Sequence, residues 1–234
     1  MKKGIFHIHS NYSYDGISSL DYIIKIAKKN DLNFIILTDH NSIKGSLKLS
    51  ELVYNKNLQI EIPISAEYKT SHGDIIAMFI DKEITEMDWS MFKLRVKEQN
   101  GIMILPHPYD NHSNIEEIAQ TVDIIEVFNG RSTIKNNIKS FLLAEKFKKP
   151  MIWASDSHIP ASLGNVIIGF KPEHSLREAL LNNHIKPLFI NNSSSIDLFI
   201  SQFKKAIVEK NLKHFTVIIL VYLFKAIKQI FQKK

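Results

Sequence analysis

The N-terminal segment GIFHIHSNYSYDG, residues 4–16, places two histidines at the end of a short apolar run. His7 and His9 are separated by one residue, and side chains at positions i and i+2 of a β-strand lie on the same face. Two imidazoles on one face form a pair of nitrogen ligands for zinc, iron or manganese. Asp15 follows His9 by six residues and adds a carboxylate. An isolated His-x-His pair also occurs on protein surfaces, so a metal site requires further ligands from other parts of the chain.

Later apolar segments end in residues of the same chemical types. These residues are Asp39 and His40 in TDH, Glu67 in ISAE, His107 in LPHP, and Asp156 and His158 in ASDSH. The remaining histidines, which we expect to face solvent, are His72, His112, His174, His184 and His214. Clustered carboxylates raise one another's pKa unless cations compensate them. We therefore predict a site for more than one divalent cation, held by nitrogen and oxygen ligands because the chain has no cysteine.

The elements that must position these residues alternate between short apolar runs and longer segments of helical periodicity. Strands are predicted at residues 5–9, 34–40, 60–67, 75–80, 101–108, 123–130 and 150–158, and helices at 20–30, 91–100, 115–122, 138–147 and 175–183. This alternation is typical of βαβ units, and the almost continuous apolar character predicts strands covered on both faces. We expect a parallel α/β fold whose strands end at one rim. Residues 1–190 are predicted to form this domain, and NNSSS at 191–195 begins a tail over residues 191–234.

The positive charge of the chain is concentrated near its C-terminus. The formal net charge is +6, and residues 201–234 hold eight of the 30 basic residues against one of the 24 acidic residues. That segment therefore carries +7, which leaves −1 for residues 1–200. The body lacks the basic composition of a nucleic-acid-binding groove. The first residues also lack the ~7–15-residue apolar stretch of a signal peptide, so we expect a cytoplasmic protein.

The tail combines an apolar run with lysines. Residues 215–224 are almost wholly apolar, which is too short for the ~20 residues of a spanning helix. Residues 212–234 fit a helix that lies on the membrane surface, with lysines reaching anionic headgroups. A helix packed on the body or on another subunit, and a short tilted span, are the alternatives. The sequence leaves the oligomeric state open.

Taken together, the motifs of this chain resemble the PHP family, the polymerase and histidinol phosphatase domain, and specifically its stand-alone bacterial metal-dependent phosphoesterases. The matching stretches are HIHSNYSYDG (7–16), TDHNSIKG (38–45), SAEYKTSHGDIIAMFI (65–80), PHPYD (106–110), DIIEVFNGR (123–131) and SDSH (155–158). They occur in the family's order and cover most of residues 1–170. The resemblance implies a distorted (β/α)7 barrel similar to a TIM barrel, followed here by a C-terminal helical tail.

The resemblance also implies a trinuclear site that binds two or three zinc, manganese or iron ions. One ion would be held by His7, His9, Glu67 and Asp156, a second by Glu67 and His107, and a third by Asp15, His40 and His158. One position departs from the family pattern, because Asp74 stands where many relatives have a histidine that binds the second metal. Asp74 is either a ligand or a turn residue after Gly73, with His72 two residues earlier.

The resemblance implies a hydrolase that attacks a phosphate ester with a metal-bound hydroxide. The substrate is then a small phosphorylated metabolite or nucleotide, or a nucleic-acid end, and the neutral body favours the small substrate. His40 and His158 are candidates for assisting the leaving group. Arg131 is the candidate phosphate-binding residue, because its planar guanidinium suits phosphate oxygens; a helix-capping surface arginine is the alternative. Asn129 is predicted either to contact the substrate or to organise this loop, and Lys69 is a weaker candidate for substrate contact.

Two other functions are compatible with parts of the pattern. An amidohydrolase-type enzyme that cleaves a C–N bond also begins with His-x-His and ends with an aspartate after a strand. It usually has a bridging lysine, and this chain has Glu67 at that position. A non-catalytic, membrane-associated scaffold is the third reading, although the chain has every one of His7, His9, Glu67 and Asp156.

Overall fold

Nine strands and seven α-helices are defined in the part of the chain that the computed structural model describes, which is residues 1–208, Lys210 and Thr216. The strands are β1 (Lys2–Ile8), β2 (Phe34–Leu37), β3 (Ser65–Thr70), β4 (Gly73–Met78), β5 (Ile102–Leu105), β6 (Ile124–Asn129), β7 (Met151–Ala154), β8 (Val166–Phe170) and β9 (Lys186–Ile190). The helices are α1 (Leu20–Lys29), α2 (Lys44–Asn55), α3 (Trp89–Glu98), α4 (Ile115–Thr121), α5 (Ile134–Phe147), α6 (Leu176–Leu181) and α7 (Ser195–Val208). This mixed order confirms the predicted α/β class.

Four of the helices, α1, α3, α5 and α6, begin after a polar residue whose side chain accepts a hydrogen bond from a free backbone N–H group of the first turn. Ser19 accepts a hydrogen bond from the backbone N–H of Tyr22 at the start of α1, and Thr133 caps α5 in the same way. Ser175 and Glu178 form a reciprocal capping box at α6. These local signals fix where the capped helices begin, and therefore where the loops before them end.

The strands form two sheets. One has the order β2-β1-β8-β9 and the other the order β3-β4-β5-β6-β7. The pairs β1–β2, β5–β6 and β6–β7 are parallel, whereas β1–β8, β3–β4, β4–β5 and β8–β9 are antiparallel. The expectation of uniformly parallel strands was therefore wrong. Only Ser71 and His72 connect β3 to β4, and a parallel connection needs a crossover of about a dozen residues or more.

Single bridges connect the two sheets at one end. Ile8, at the end of β1, pairs with Ser157 beyond β7, and His40, beyond β2, pairs with Glu67 in β3. The described residues thus form two sheets with bridges between them, and no closed hydrogen-bonded barrel is present in residues 1–208. The bridged end carries the histidines and carboxylates predicted to meet there.

An apolar cluster fills the space between the two sheets. It contains Phe6 and Ile36 from one sheet and Ile76, Ile104 and Ile124 from the other, all at most 1% exposed. Burial of each such side chain contributes roughly 1.5–3 kcal/mol to the free energy of unfolding. The residues that alternate with these along the strands pack against the helices in two further clusters. The sheets therefore share one core, on which the polar rim rests.

The chain continues past residue 190 into α7. This helix packs on the body through Ser201 and Ala206, each 2% exposed. Across residues 1–208, no helix has the length and apolar character needed to cross a bilayer. The predicted membrane-surface segment at 212–234 lies outside the described residues, apart from Thr216.

Candidate metal centre

The end of β1 places His7 and His9 side by side. The pairing of β1 with β2 shifts register between Phe6 and Ile8, and His7 adopts a left-handed backbone conformation with φ of 55°. Such a conformation is uncommon for a residue with a Cβ atom and occurs often at functional sites. Both imidazoles are fully buried, with ring centroids 5.2 Å apart. The two histidines are therefore adjacent, as the His-x-His spacing predicts, although a local bulge and not a regular strand positions them.

Three groups of side chains bring their ligand atoms together, each within a span of 4.8 Å. The Asp15 group is His9, Asp15, His40 and His158; the Asp156 group is His7, His9 and Asp156; and the Glu67 group is His7, Glu67 and His107. These groups contain eight of the nine residues predicted as metal ligands. The Asp156 group shares His9 with the Asp15 group and His7 with the Glu67 group, so the three groups form one continuous cluster.

Glu67 lies at the centre of this cluster. Its Oε1 lies 3.0 Å from His107 Nε2, and its Oε2 lies 3.4 Å from the Nε2 atoms of both His7 and His9. The same Oε2 is 3.3 Å from His40 Nδ1. One carboxylate thus contacts four imidazoles, which is the arrangement a bridging ligand requires.

Aspartates complete the other two groups. Asp15 Oδ2 lies 3.1 Å from His158 Nε2 and 3.4 Å from His40 Nε2. Asp156 Oδ1 lies 3.6 Å from His7 Nε2 and 3.5 Å from His9 Nε2. Segments separated by about 150 residues in the sequence therefore meet at one rim.

The buried nitrogens of this cluster fit the chemistry of a cation site. His7 Nε2 and His9 Nε2 are buried and make no hydrogen bond of ordinary length, since their nearest carboxylate oxygens are 3.4 Å or more away. Buried polar atoms are almost always hydrogen-bonded in native proteins. Two such nitrogens that face Glu67 and Asp156 are placed as ligands of divalent metal ions.

The electrostatics of the cluster lower the pKa values of two of its carboxylates and of His9. Burial would raise the pKa of Glu67, but His7 and His40 hold it well below its ordinary value. Burial would also raise the pKa of Asp156, but His7 and Arg131 hold it well below its ordinary value. Burial lowers the pKa of His9 to about 3, and the adjacent His158 contributes to that shift. Ionised carboxylates therefore surround an imidazole that stays neutral and available as a ligand at neutral pH.

Asp74 lines the cavity beside the cluster but is not part of any of the three groups found among the described residues. Burial and the Glu67 carboxylate raise its pKa. Its backbone oxygen accepts a hydrogen bond from His112 Nε2 at 2.7 Å. His72, the neighbouring alternative, points away and stacks on Trp89 with ring centroids 5.5 Å apart. His112 is only half-buried but packs against His107, so the expectation that it simply faces solvent was wrong.

Glu126 is a buried carboxylate behind the cluster that the sequence reasoning did not single out. Its Oε1 accepts a hydrogen bond from His7 Nδ1 at 2.8 Å, and its Oε2 accepts one from the backbone N–H of His107 at 2.7 Å. It is 1% exposed. A carboxylate on the outer nitrogen of a ligating histidine fixes the tautomer and the ring orientation. The available signal was a charged residue inside the apolar run IIEVF, because a buried charge requires a partner.

Asn129 and Arg131 follow β6 on the same rim. Asn129 Nδ2 donates hydrogen bonds to Glu126 Oε2 at 2.9 Å and to Asp156 Oδ2 at 3.2 Å, and Asn129 Oδ1 accepts one from the backbone N–H of Arg131. The Arg131 guanidinium contacts the His158 ring and lies 3.7 Å from Asp156 Oδ1. Asn129 thus organises the loop, and the guanidinium of Arg131 points into the cluster and does not cap the next helix.

The cluster opens into a cavity of about 610 Å³. Its lining includes the ligand candidates Asp15, His40, Glu67, His107, Asp156 and His158, the cationic residues Lys69, Arg131 and Lys205, and the polar residues Tyr14, Asn129, Ser132 and Gln202. A concave site of this size that carries both acidic and cationic side chains suits a small anionic ligand held beside metal ions.

Comparisons with known proteins find relatives in sequence and in fold. An uncharacterised protein of Methanocaldococcus jannaschii is 32% identical over 152 residues, which cover 58% of this chain and 88% of that protein. A two-domain protein from Bacteroides vulgatus that contains a predicted PHP-like metal-dependent phosphoesterase has a similar fold, with a TM-score of 0.67 and 22% identity. The alignment covers 81% of this chain and 65% of that one, so the chain spans about two thirds of its length.

An amidohydrolase from Chromobacterium violaceum, solved with bound sulfate and no metal, also shares the fold, with a TM-score of 0.59 and 15% identity. The alignment covers 79% of this chain and 97% of that one. The family model described as PHP domain matches residues 6–220, which extend past residue 190 and beyond the end of α7. This match, together with the converging histidines and carboxylates, establishes that the chain belongs to the PHP domain family.

Proposed function

We propose that this protein is a metal-dependent phosphoesterase that hydrolyses a small phosphorylated metabolite or nucleotide. The observation that carries the proposal is the convergence of Glu67 with four imidazoles, next to Arg131 in one cavity. The membership of the PHP domain family supports the same reaction class. The formal charge of −1 on residues 1–200 favours a small substrate over a nucleic-acid end.

The residues that would hold the metal ions are those of the three groups. His7, His9, Glu67 and Asp156 would hold one ion, and Glu67 would bridge to a second ion that His107 also holds. The third would be held by Asp15, His40 and His158, and Asp74 is the candidate additional ligand of the second ion. When bound, zinc, manganese or iron would supply Lewis acidity that activates water and neutralises phosphate charge.

The protein's own residues would bind the phosphate and control protons around it. Arg131 presents a planar guanidinium at the edge of the cluster, where it can donate two parallel hydrogen bonds to phosphate oxygens. Asn129 holds the Arg131 backbone in place through its Oδ1 atom. His40 and His158 face the cavity on the side of Asp15 and are the candidates for donating a proton to the leaving oxygen.

We further propose that the two sheets are the halves of a distorted (β/α)7 barrel within residues 1–190. The bridges Ile8–Ser157 and His40–Glu67 support this arrangement, because each joins one sheet to the other at the rim. The shared apolar cluster between the sheets provides the interior of such a barrel. Residues 191–234 would then be an addition to the barrel, beginning with α7.

The proposed function is tested by hydrolysis assays on the full chain loaded with manganese or zinc. The panel contains phosphomonoesters, phosphodiesters, short RNAs and amides, and the variants are His9→Ala and the control His184→Ala, whose imidazole is exposed and outside the cavity. We expect phosphomonoester hydrolysis by the wild type and by His184→Ala, and a loss of about 100-fold or more in His9→Ala. Hydrolysis of amides alone would indicate an amidohydrolase, and equal inactivity of all three proteins would refute a hydrolase.

A further inference from the structure

Helix α7 forms one wall of the cavity. Leu198, Gln202 and Lys205 line it, and their spacing of four and then three residues places them on one face of the helix. The same cavity is lined by the metal-ligand candidates Asp15, His40, Glu67, His107, Asp156 and His158. The cavity is therefore completed by a segment that follows the last of the sequence motifs, SDSH at residues 155–158.

Two contacts fix α7 to the loops that carry the site. Ser201 Oγ accepts a hydrogen bond from Arg131 Nη2 at 3.1 Å, and Lys204 Nζ donates one to the backbone oxygen of Gly16. The segment before the helix is held as well, since Ser193 N–H donates to the Gly130 oxygen at 2.8 Å. Because Gly16 and Gly130 adjoin Asp15 and Arg131, the face of α7 has a defined position relative to both.

The cavity lining combines acidic and cationic side chains. The acidic residues are Asp15, Glu67, Asp74, Asp110 and Asp156, and the cationic residues are Lys69, Arg131 and, on α7, Lys205. Tyr14 contacts both His40 and Lys205. Its ring stacks on His40 with ring centroids 4.8 Å apart, and Lys205 Nζ lies 5.5 Å from the centroid of the Tyr14 ring. A phosphate bound beside Arg131 would thus leave the rest of the ester in the space bounded by Tyr14, Gln202 and Lys205.

The cavity has room for more than a phosphate group. About 610 Å³ is within the ~300–1,000 Å³ that ligand pockets of drug-sized molecules occupy. Lys205 offers a cation, and Gln202 offers both an amide N–H and an amide oxygen. The chemistry at α7 therefore suits a leaving group that carries a carboxylate or another hydrogen-bond acceptor.

We propose that Gln202 and Lys205 are specificity-determining residues that bind an acceptor-bearing leaving group of the phosphate ester. This inference rests on the proposed phosphoesterase function and extends it, because it assigns a second recognition site to the same cavity. The metals and Arg131 would select the phosphate, and α7 would select what the phosphate is attached to.

Phosphonates test this binding without any reaction, because their C–P bond is not hydrolysed. Methylphosphonate and a series of carboxyalkylphosphonates of increasing chain length are titrated calorimetrically into the manganese-loaded full chain. The proteins are the wild type, Lys205→Ala, Gln202→Ala and the control Lys210→Ala, which removes a lysine that follows α7 and does not line the cavity. Bound manganese and circular dichroism are measured for each protein to show that the site and the fold are intact.

We expect one chain length to bind about tenfold more tightly than methylphosphonate, because its carboxylate reaches Lys205 and gains a charge-assisted hydrogen bond. Lys205→Ala should lose this preference, Gln202→Ala should lose part of it, and Lys210→Ala should keep it. Methylphosphonate should bind all four proteins equally. The inference would be overturned if Lys205→Ala and Gln202→Ala kept the preference for that carboxyalkylphosphonate, or if the wild type showed no such preference. Either result would leave the proposed function standing. Failure of every phosphonate to bind the wild type would overturn the proposed function and this inference with it.

Discussion

The buried carboxylate of Glu126 shows how the candidate ligands are held in place. It contacts His7 through one oxygen and the backbone of His107 through the other, so it connects two ligand candidates that arrive from different sheets. Both residues have positive φ angles, 55° for His7 and 27° for His107. Strained backbone of this kind persists only where its surroundings enforce it. At the residue scale, the site therefore depends on groups that do not themselves bind a metal.

Replacing Glu126 by glutamine should weaken metal binding about 10–100-fold, because His7 loses the charged partner that orients its ring and raises its basicity. The measurement is the dissociation constant for zinc in competition with a fluorescent chelator. Glu145→Gln, which changes an exposed glutamate on α5, is the matched control. Equal zinc affinity of Glu126→Gln and the wild type would contradict the positioning role.

Metal binding should release a proton from His107 at neutral pH. Burial acts to lower the pKa of His107, but the hydrogen bond to Glu67 raises it to about 9. The imidazole is therefore protonated at pH 7 and must become neutral to bind a cation. We expect the release of about one proton or more at pH 7, and a smaller release from His107 as the pH rises through about 9. Calorimetric titrations in two buffers of different ionisation enthalpy measure it, and identical heats would contradict it.

The sequence was informative about the site because most of its ligand candidates stand at or just beyond the end of an apolar run. His7, His9, Glu67, His107 and Asp156 could be placed together on that basis, and the family resemblance was confirmed by the match over residues 6–220. Glu126 was missed because it lies within a strand and not at its end. Its partners come from β1 and from the segment after β5, a proximity that no local pattern contains.

At the scale of elements, the β3–β4 hairpin determines the position of Glu67. Its two-residue connection, Ser71–His72, could have been recognised as a hairpin from its length, but the βαβ alternation elsewhere led to the prediction of parallel strands. Strands β8 and β9 were not predicted either, and α7 could not be placed against the cavity from its sequence. Helices and strands with a clear local periodicity were thus predictable. The pairing of the strands was not, because it depends on residues that are distant in the sequence.

Gly73 in this hairpin should tolerate no side chain. It has a φ of +124°, and an added Cβ would lie 2.5 Å from Cδ2 of His112. Gly73→Ala should therefore lower the free energy of unfolding by roughly 1–3 kcal/mol. Gly164→Ala separates the two causes, because Gly164 has a φ of +88° but its nearest neighbours would be 3.8 Å away. Urea unfolding measures both variants, and an equal loss in the two would show that the contact with His112 contributes nothing.

At the scale of the whole molecule, the candidate metal centre takes its residues from both sheets. His7 and His9 come from the end of β1 in one sheet, whereas Glu67 and His107 belong to β3 and to the end of β5 in the other. Ions bound by these residues would be held only when both sheets are folded. The shared apolar cluster and the metal centre should therefore stabilise the same folded state.

Removal of the metal should lower the midpoint of thermal unfolding of the whole chain. A ligand present at about 100 times its dissociation constant stabilises the folded state by ~2.7 kcal/mol, which corresponds to roughly 5–10 °C for a protein of this size. Differential scanning calorimetry before and after chelation should show this decrease in the wild type and in His184→Ala. His9→Ala should show a clearly smaller one, and a chelator effect as large in His9→Ala as in the wild type would contradict the assignment.

The distance in sequence between the members of the Asp15 group has a consequence for biosynthesis. His9 leaves the ribosome before His158, which follows 149 positions later. At ~5–20 residues per second, the interval is roughly 7–30 s. During that time the nascent chain displays loose imidazoles without the geometry to retain an ion. The complete set of ligand candidates is therefore available only after His158 has been synthesised, and a product truncated before Asp156 should leave the ribosome unable to assemble the complete centre.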